Sequence, residues 1–126
     1  MRTWDILDAD GKKTGKTAPI NAKLKQNEYH QTVHVWISDQ NGDILIQKRA
    51  TNNLWSIATE ATIHDEDSLS AAMRNITDEL GLVLDAGRFR KIAQIKGKNE
   101  FIDVLSASGS REDFFPVILC SNILDV

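Results

Sequence analysis

The sequence of 126 residues contains one cysteine, two prolines and no long apolar run. A single cysteine forms no intrachain disulfide, which is typical of a reducing compartment, and Cys120 is interpreted as a small buried hydrophobe. No apolar stretch approaches the roughly 18–20 residues that cross a bilayer, and the first residues lack the apolar core of a secretory signal. The sequence therefore predicts a cytoplasmic protein that has no membrane partner.

An excess of basic residues is also absent, because 15 Lys and Arg residues stand against 18 Asp and Glu residues, a formal net charge of −3 at pH 7. Coating a nucleic-acid polymer requires a basic excess to neutralise its phosphates, so such a polymer is not an expected partner. The content of 41% hydrophobic and 26% charged residues is that of a globular protein. At this length one domain over residues 1–126 is expected.

The charges are unevenly distributed along the chain. Residues 60–79 contain six acids and one base, Arg74, while ten of the fifteen bases lie in the flanking stretches 12–25 and 88–98. An acidic centre between basic shoulders suits a divalent cation that holds a polyanion. A solvated helix face between two solvated hairpins explains the same pattern, and charge alone favours that interpretation.

Hydrophobic periodicity predicts strands before and after one helix. A turn is expected at 8–12, a helical turn over 19–26, and a hairpin turn at Asn41-Gly42. The predicted strands are 4–7, 30–38, 43–49, 54–63, 89–95, 101–105 and 114–120. Such an order predicts a mixed α/β or α+β sandwich.

The helix is predicted from an apolar stripe with helical spacing, made of Leu69, Ala72, Met73, Ile76 and Leu80. Asp67 or Ser68 is expected to cap its start, and Gly81 its end.

The polar side of this helix carries candidate metal ligands. Asn75, Asp78 and Glu79 share a sector roughly 115° from the centre of the stripe, so all three are expected outside the core. With Glu66 from the preceding loop, two carboxylates there form the kind of hard oxygen set that Mg²⁺ prefers. Arg74 has a simpler role available as an ion-pair partner of Asp78 or Asp67.

Residues 60–82 resemble the Nudix box, G-x5-E-x7-R-E-U-x-E-E-x-G-U, in which U is aliphatic. Six of its nine defined positions match, Asp78 is a conservative replacement, and Glu60 and Asn75 do not match. The matching residues are Glu66, Arg74, Ile76, Glu79, Gly81 and Leu82. Upstream blocks at 4–8, 29–36 and 44–49 are similar to a Nudix branch related to isopentenyl-diphosphate isomerase. The alternative is a coincidental helix motif in another fold.

The resemblance implies an α+β fold, an α/β/α sandwich with a mixed sheet and one box helix. Its loop–helix–loop is expected to bind Mg²⁺ or Mn²⁺ and to cleave a diphosphate in a small nucleotide-like substrate. It implies catalytic roles for Glu79, Asp78 and Arg74, with Glu66, Asp78 and Glu79 at the metal. Arg74 is expected to pair with box carboxylates and hold the helix against the loop.

Substrate contacts are predicted for Arg49 and Trp36. Trp36 and Trp55 have the size to stack on a ring, although large aromatic residues in short strands more often belong to the core.

The departures from the box weaken the prediction of catalysis. An amide at Asn75 cannot act as a general base near neutral pH. The first glycine of the box is replaced by Glu60, and Asp65 replaces another glycine that is common in the family. Glu60, Glu112 and Asp113 are candidates to supply the missing charge. The isomerase reaction is disfavoured because no cysteine precedes the box. A catalytically impaired ligand-binding module is therefore the alternative function.

Two further features leave alternatives open. His30 and His34 share one strand face, as ligands would, but two histidines alone are more often packing or surface residues. The short stretch 83–126 after the box indicates a C-terminus truncated relative to the family, or a homodimer in which a partner covers the exposed apolar end.

Overall fold

The computed structural model describes residues 2–50, 53–109 and 123–125, and only the backbone of Arg49 and of 123–125. The strands are β1 (Thr3–Leu7), β2 (Lys13–Pro19), β3 (His30–Ser38), β4 (Gln47–Arg49), β5 (Trp55–Ser56), β6 (Ala58–Ala61), β7 (Phe89–Lys96), β8 (Glu100–Ser108) and β9 (Ile123–Asp125). One α-helix, α1, spans Ser68–Leu80, and a 3₁₀ turn spans Ala86–Arg88.

The central sheet is mixed, with strand order β6-β3-β8-β7. The neighbours β3 and β8 are parallel, whereas β6 and β7 pair antiparallel with them. Strand β3 has the predicted bounds, and its alternation buries Val33, Val35 and Ile37 on one face. This face is the one that receives the helix.

Helix α1 packs on that face. The core between them combines the apolar stripe of the helix with the alternating buried residues of β3. Ala72, Ile76 and Leu80 from α1 join the buried valines of β3 and Leu105 of β8 in one cluster. Helix α1 contacts both β3 and its sheet neighbour β6, so it lies across two adjacent strands.

The N-terminal ribbon of β1 and β2 attaches to the start of β3. Leu7 and Tyr29 exchange backbone hydrogen bonds, and the ring of Trp4 stacks on that of His30 at 3.8 Å. Strand β2 was not predicted because its polar sequence is exposed almost throughout and shows no alternation. The predicted turn before it is confirmed, since the Asp8 side chain accepts the backbone N–H groups of Asp10 and Lys12.

Three local predictions are wrong. Residues 19–26 form no helical turn, because β2 runs to Pro19 and a tight turn to Ala22 follows. Of 43–49, only Gln47–Arg49 is a strand, since the chain leaves β3 after Leu45 and joins the sheet β5-β4-β9. The strand 54–63 divides in two at Ile57, because β5 pairs with β4 and β6 pairs with β3.

The α+β class with a mixed sheet is confirmed. Within the described residues α1 is the only α-helix, so a second helical layer is not seen among them. In the same part of the chain, no helix has both the length and the apolar character needed to cross a membrane. The predicted strand 114–120, with Cys120, lies outside the described residues.

Candidate active site

The ends of α1 are fixed by the predicted caps. The side chain of Asp67 accepts the backbone N–H of Ser70 at 2.8 Å, and this hydrogen bond lowers the pKa of the Asp67 carboxyl. Gly81 ends the helix with φ of 68°, a left-handed conformation that suits glycine. The box-like segment therefore folds as a loop followed by a well-defined helix.

An ion pair ties the loop to the helix. The guanidinium of Arg74 donates from Nε to Glu66 Oε2 at 2.8 Å and from Nη2 to Glu66 Oε1 at 3.0 Å. Hydrogen bonding to Glu66 raises the pKa of Arg74 although burial opposes the shift. The prediction that Arg74 pairs with a box carboxylate is confirmed, with Glu66 as the partner instead of Asp78 or Asp67.

Asn75 lies in the interior, which contradicts its predicted exposure. Its side chain is 2% exposed, and its Nδ2 lies 3.5 Å from Oε2 of Glu60 on β6. The helical projection centred the buried sector of α1 on its apolar stripe, whereas α1 packs against two adjacent strands of the sheet, β3 and β6, and the buried sector extends to Asn75. The two positions that depart from the box pattern are therefore in contact with each other.

The acids Asp78 and Glu79 lie one turn beyond Asn75. Asp78 is exposed and Glu79 is partly buried. Buried Gln47 of β4 donates from Nε2 to Glu79 Oε2 at 3.1 Å. The field of Asp78 contributes to the raised pKa of Arg74, which places Asp78 near the same guanidinium.

The predicted ligands Glu66, Asp78 and Glu79 do not converge on one point. In the described part of the chain, only Asp5, His64 and Asp65 bring three ligand-type atoms within 4.8 Å of one another. Both oxygens of Glu66 are held by Arg74, and Oε1 also accepts the N–H of Ile63. A cation bound at Asp78 and Glu79 would therefore require the side chains of its ligands to move toward one another.

The Asp5 cluster is explained by its own hydrogen bonds. His64 Nδ1 lies 2.6 Å from Asp5 Oδ1, and Lys13 Nζ lies 3.5 Å from Asp5 Oδ2. The bond to Asp5 raises the pKa of His64. Burial alone would raise the pKa of Asp5, but hydrogen bonds from His64 and the Asp65 backbone lower it overall. The cluster is an ion-pair network that ties β1 to the box loop.

A cavity of about 480 Å³ opens beside the first turn of α1. Its lining includes the acidic Glu66, the hydroxyl of Ser68 and the basic Lys13 and Lys91. Asp103 of β8 also lines the cavity, is 7% exposed and accepts hydrogen bonds from Ser68 at 2.6 Å and Gln94 at 2.7 Å. The acidic centre and basic shoulders seen in the sequence thus meet around one cavity.

Among the described residues, Trp36 and Trp55 do not line this cavity, and neither do Asp78 and Glu79. Trp36 is 44% exposed on the face of β3 opposite α1, and Trp55 is 48% exposed, so neither belongs to the core. The side chain of Arg49, and Glu112 and Asp113, lie outside the described residues. His30 stacks on Trp4, and burial lowers the pKa of His30 against the opposing field of Glu100.

The sequence analysis did not predict three features of this region, which are Gln47, Asp103 and the Asp5–His64 pair. Gln47 and Asp103 are polar residues at buried strand positions, a signal that alternation provides once the buried face is known. The Asp5–His64 contact joins residues 59 apart in the chain, and no local pattern encodes it.

Comparison with known proteins gives a consistent result. No family model matches the sequence. An uncharacterized Nudix hydrolase of Listeria monocytogenes is 36% identical over 91 residues, which cover 68% of this chain and 54% of the relative. Nudix hydrolase 3 of Arabidopsis thaliana is 33% identical over 96 residues, 71% of this chain and 12% of the relative. The chain thus spans about half the length of the Listeria relative and a smaller part of the plant protein.

Solved structures share the fold at low sequence identity. A protein of Deinococcus radiodurans has a TM-score of 0.76 at 17% identity and covers 96% of this chain and 77% of its own length. A MutT/nudix family protein of Enterococcus faecalis has a TM-score of 0.66 at 13% identity. The match covers 83% of this chain and 45% of the Enterococcus protein. These structures show the fold, and the curated relatives establish that the chain belongs to the Nudix hydrolase family. Nudix hydrolases in general use divalent metal ions.

Proposed function

We propose that this chain is a metal-dependent hydrolase of a small diphosphate compound, with Asp78 and Glu79 as metal ligands. The observation that carries the proposal is the two-point ion pair between Arg74 and Glu66. This ion pair holds the box loop on the helix that bears both acids, so the frame of the motif is intact. The donor set fits the metal by chemistry, because carboxylate oxygens are the ligands that Mg²⁺ and Mn²⁺ prefer.

In this proposal the residues of the box have separate roles. Asp78 and Glu79 would hold the ion, while Gln47 orients the Glu79 carboxylate. Arg74 positions the loop, and Glu66 would order the loop or reach the ion through water. When bound, the metal neutralises phosphate charge and supports attack by water on phosphorus. The water oxygen bonds to one phosphorus, the bridging P–O bond breaks, and the water's protons pass to a site carboxylate and the product phosphate.

The cavity beside α1 is proposed to take part of the substrate. Its volume is within the range of small-molecule sites, and its lysines offer positive charge to a phosphorylated ligand. Arg49 and Trp36 remain proposed substrate contacts. Trp36 does not line this cavity, so its contact would be with a part of the substrate outside it.

The direct test is an assay with Mg²⁺ or Mn²⁺ and a panel of nucleoside, sugar and prenyl diphosphates, with product phosphates measured. We expect turnover of at least one compound, and a decrease of about 10²–10⁴-fold in Glu79→Gln. No turnover of any compound, or equal rates in Glu79→Gln and the wild type, would contradict the proposal.

A ligand-binding module is the second candidate, favoured by the buried amide at Asn75 where the box has an acid. It predicts a metal-dependent rise in melting temperature on addition of a diphosphate compound, without turnover. Thermal unfolding measured alongside the assay separates the two functions.

A further inference from the structure

We propose that Glu60 supplies the metal site with the carboxylate that the box pattern places at position 75. In this chain, one acid has moved from the helix to the neighbouring strand. The inference rests on the proposed function, because it assigns a further ligand to the same site.

The carboxylate of Glu60 is held at the surface of α1 by three donors. Oε2 lies 3.5 Å from Asn75 Nδ2 and 3.5 Å from Arg74 Nη1, and Oε1 accepts the N–H of Ala61 at 3.0 Å. The side chain nevertheless remains 33% exposed. Because an ionised carboxylate has about four lone-pair sites, Glu60 keeps capacity for a cation.

The contact with Asn75 places Glu60 on the side of the helix that carries the proposed ligands. Residues three and four positions apart are neighbours on a helix surface, about 5–6 Å apart at Cβ, so Asn75 adjoins both Asp78 and Glu79. Glu60 therefore reaches this helix face from β6, while Gln47 reaches Glu79 from β4.

Electrostatics explains why the two departures from the box occur together. Glutamates at both positions would set two carboxylates in contact, and such a pair destabilises the empty site by like-charge repulsion. The amide of Asn75 instead contributes a donor to Glu60 and carries no charge. A single exchange thus accounts for both positions and preserves the number of acids.

The test is isothermal titration of Mn²⁺ into the full chain and four variants: Glu60→Gln, Glu79→Gln, Glu100→Gln and the double variant Glu60→Gln/Asn75→Glu. Glu100→Gln is the matched control, because Glu100 on β8 is a partly exposed glutamate that accepts a hydrogen bond from Thr32 on β3. We expect Glu60→Gln to weaken Mn²⁺ binding by at least about tenfold, since affinity follows the number of anionic ligands. The double variant should recover most of that loss, and Glu100→Gln should bind like the wild type.

The outcomes separate this inference from the proposed function. Wild-type affinity in Glu60→Gln together with weak binding in Glu79→Gln would overturn the role of Glu60 alone. Equal losses in Glu60→Gln and Glu100→Gln would also overturn it, because they would reflect total charge. An absence of saturable Mn²⁺ binding to the wild type would overturn both proposals. Melting temperatures in EDTA check folding, and Glu60→Gln alone decides the matter if the double variant does not fold.

Discussion

The two halves of the box differ in how completely their polar groups are paired. In the first half, the loop and the opening turns of α1, Glu66 is paired with Arg74 and Asp67 caps the helix. In the second half, the end of α1 and the facing strand, Asp78 is exposed and the Glu60 carboxylate lies 3.5 Å from its two partners on the helix, Arg74 and Asn75. The comparison indicates that the first half stabilises the fold, while the second half is available for a ligand.

The largest effect is expected for Arg74→Ala, which tests whether the first half of the box stabilises the fold. It leaves Glu66 with a largely buried and uncompensated charge, so the free energy of unfolding should fall by about 3 kcal/mol. Chemical denaturation measures the change. The control Arg90→Ala, at an exposed position, should stay within about 0.5 kcal/mol of the wild type. A loss in Glu79→Gln as large as that in Arg74→Ala would contradict the division between the halves.

A smaller effect is expected at the helix cap. Asp67→Ala removes the acceptor of the Ser70 N–H and should cost about 1 kcal/mol of unfolding free energy. Asp85→Ala is a matched control, because Asp85 precedes the 3₁₀ turn without a capping hydrogen bond from its side chain. Equal losses in the two variants, measured by denaturation, would show that the cap contributes nothing specific.

The smallest effect concerns pH and the ion pair between Asp5 and His64. The pKa of His64 is raised, so its stabilisation is fully present below the ordinary value of 6.5 and is lost as pH rises through the folded pKa. The pKa of Asp5 is lowered, so its contribution is present above 3.8 and is lost as pH falls through its folded value.

The corresponding experiment compares melting temperatures of His64→Gln and the wild type between pH 5 and pH 9. The difference should be largest near pH 5–6 and should diminish toward pH 9. His34→Gln serves as the histidine control. A difference that stays constant over this range would rule out the ion pair as its cause.

The parts of the fold predicted from sequence are those that local periodicity determines. Strand β3 and the stripe of α1 depend on spacing within one element, and the caps at Asp67 and Gly81 depend on a few adjacent residues. The prediction for 43–63 was wrong because each segment can pair in either of two sheets, and its pairing is determined by strands distant in the chain.

The site was predictable to the same extent. The pairing of Arg74 with a box carboxylate followed from the resemblance, because the motif's spacing places them together. The burial of Asn75 did not, since it depends on the helix packing against β6 as well as β3. The role of Gln47 in holding Glu79 likewise requires the tertiary structure.

The most direct test of a metal site in the second half of the box is paramagnetic broadening in ¹H–¹⁵N NMR spectra recorded with substoichiometric Mn²⁺. If the metal binds at Asp78 and Glu79, we expect the side-chain NH₂ signals of Gln47 and Asn75 and the backbone amides of 78–80 to broaden first. Signals of 5 and 63–65 should broaden later. Broadening centred on the cluster of Asp5, His64 and Asp65, or spread evenly over the protein, would contradict it.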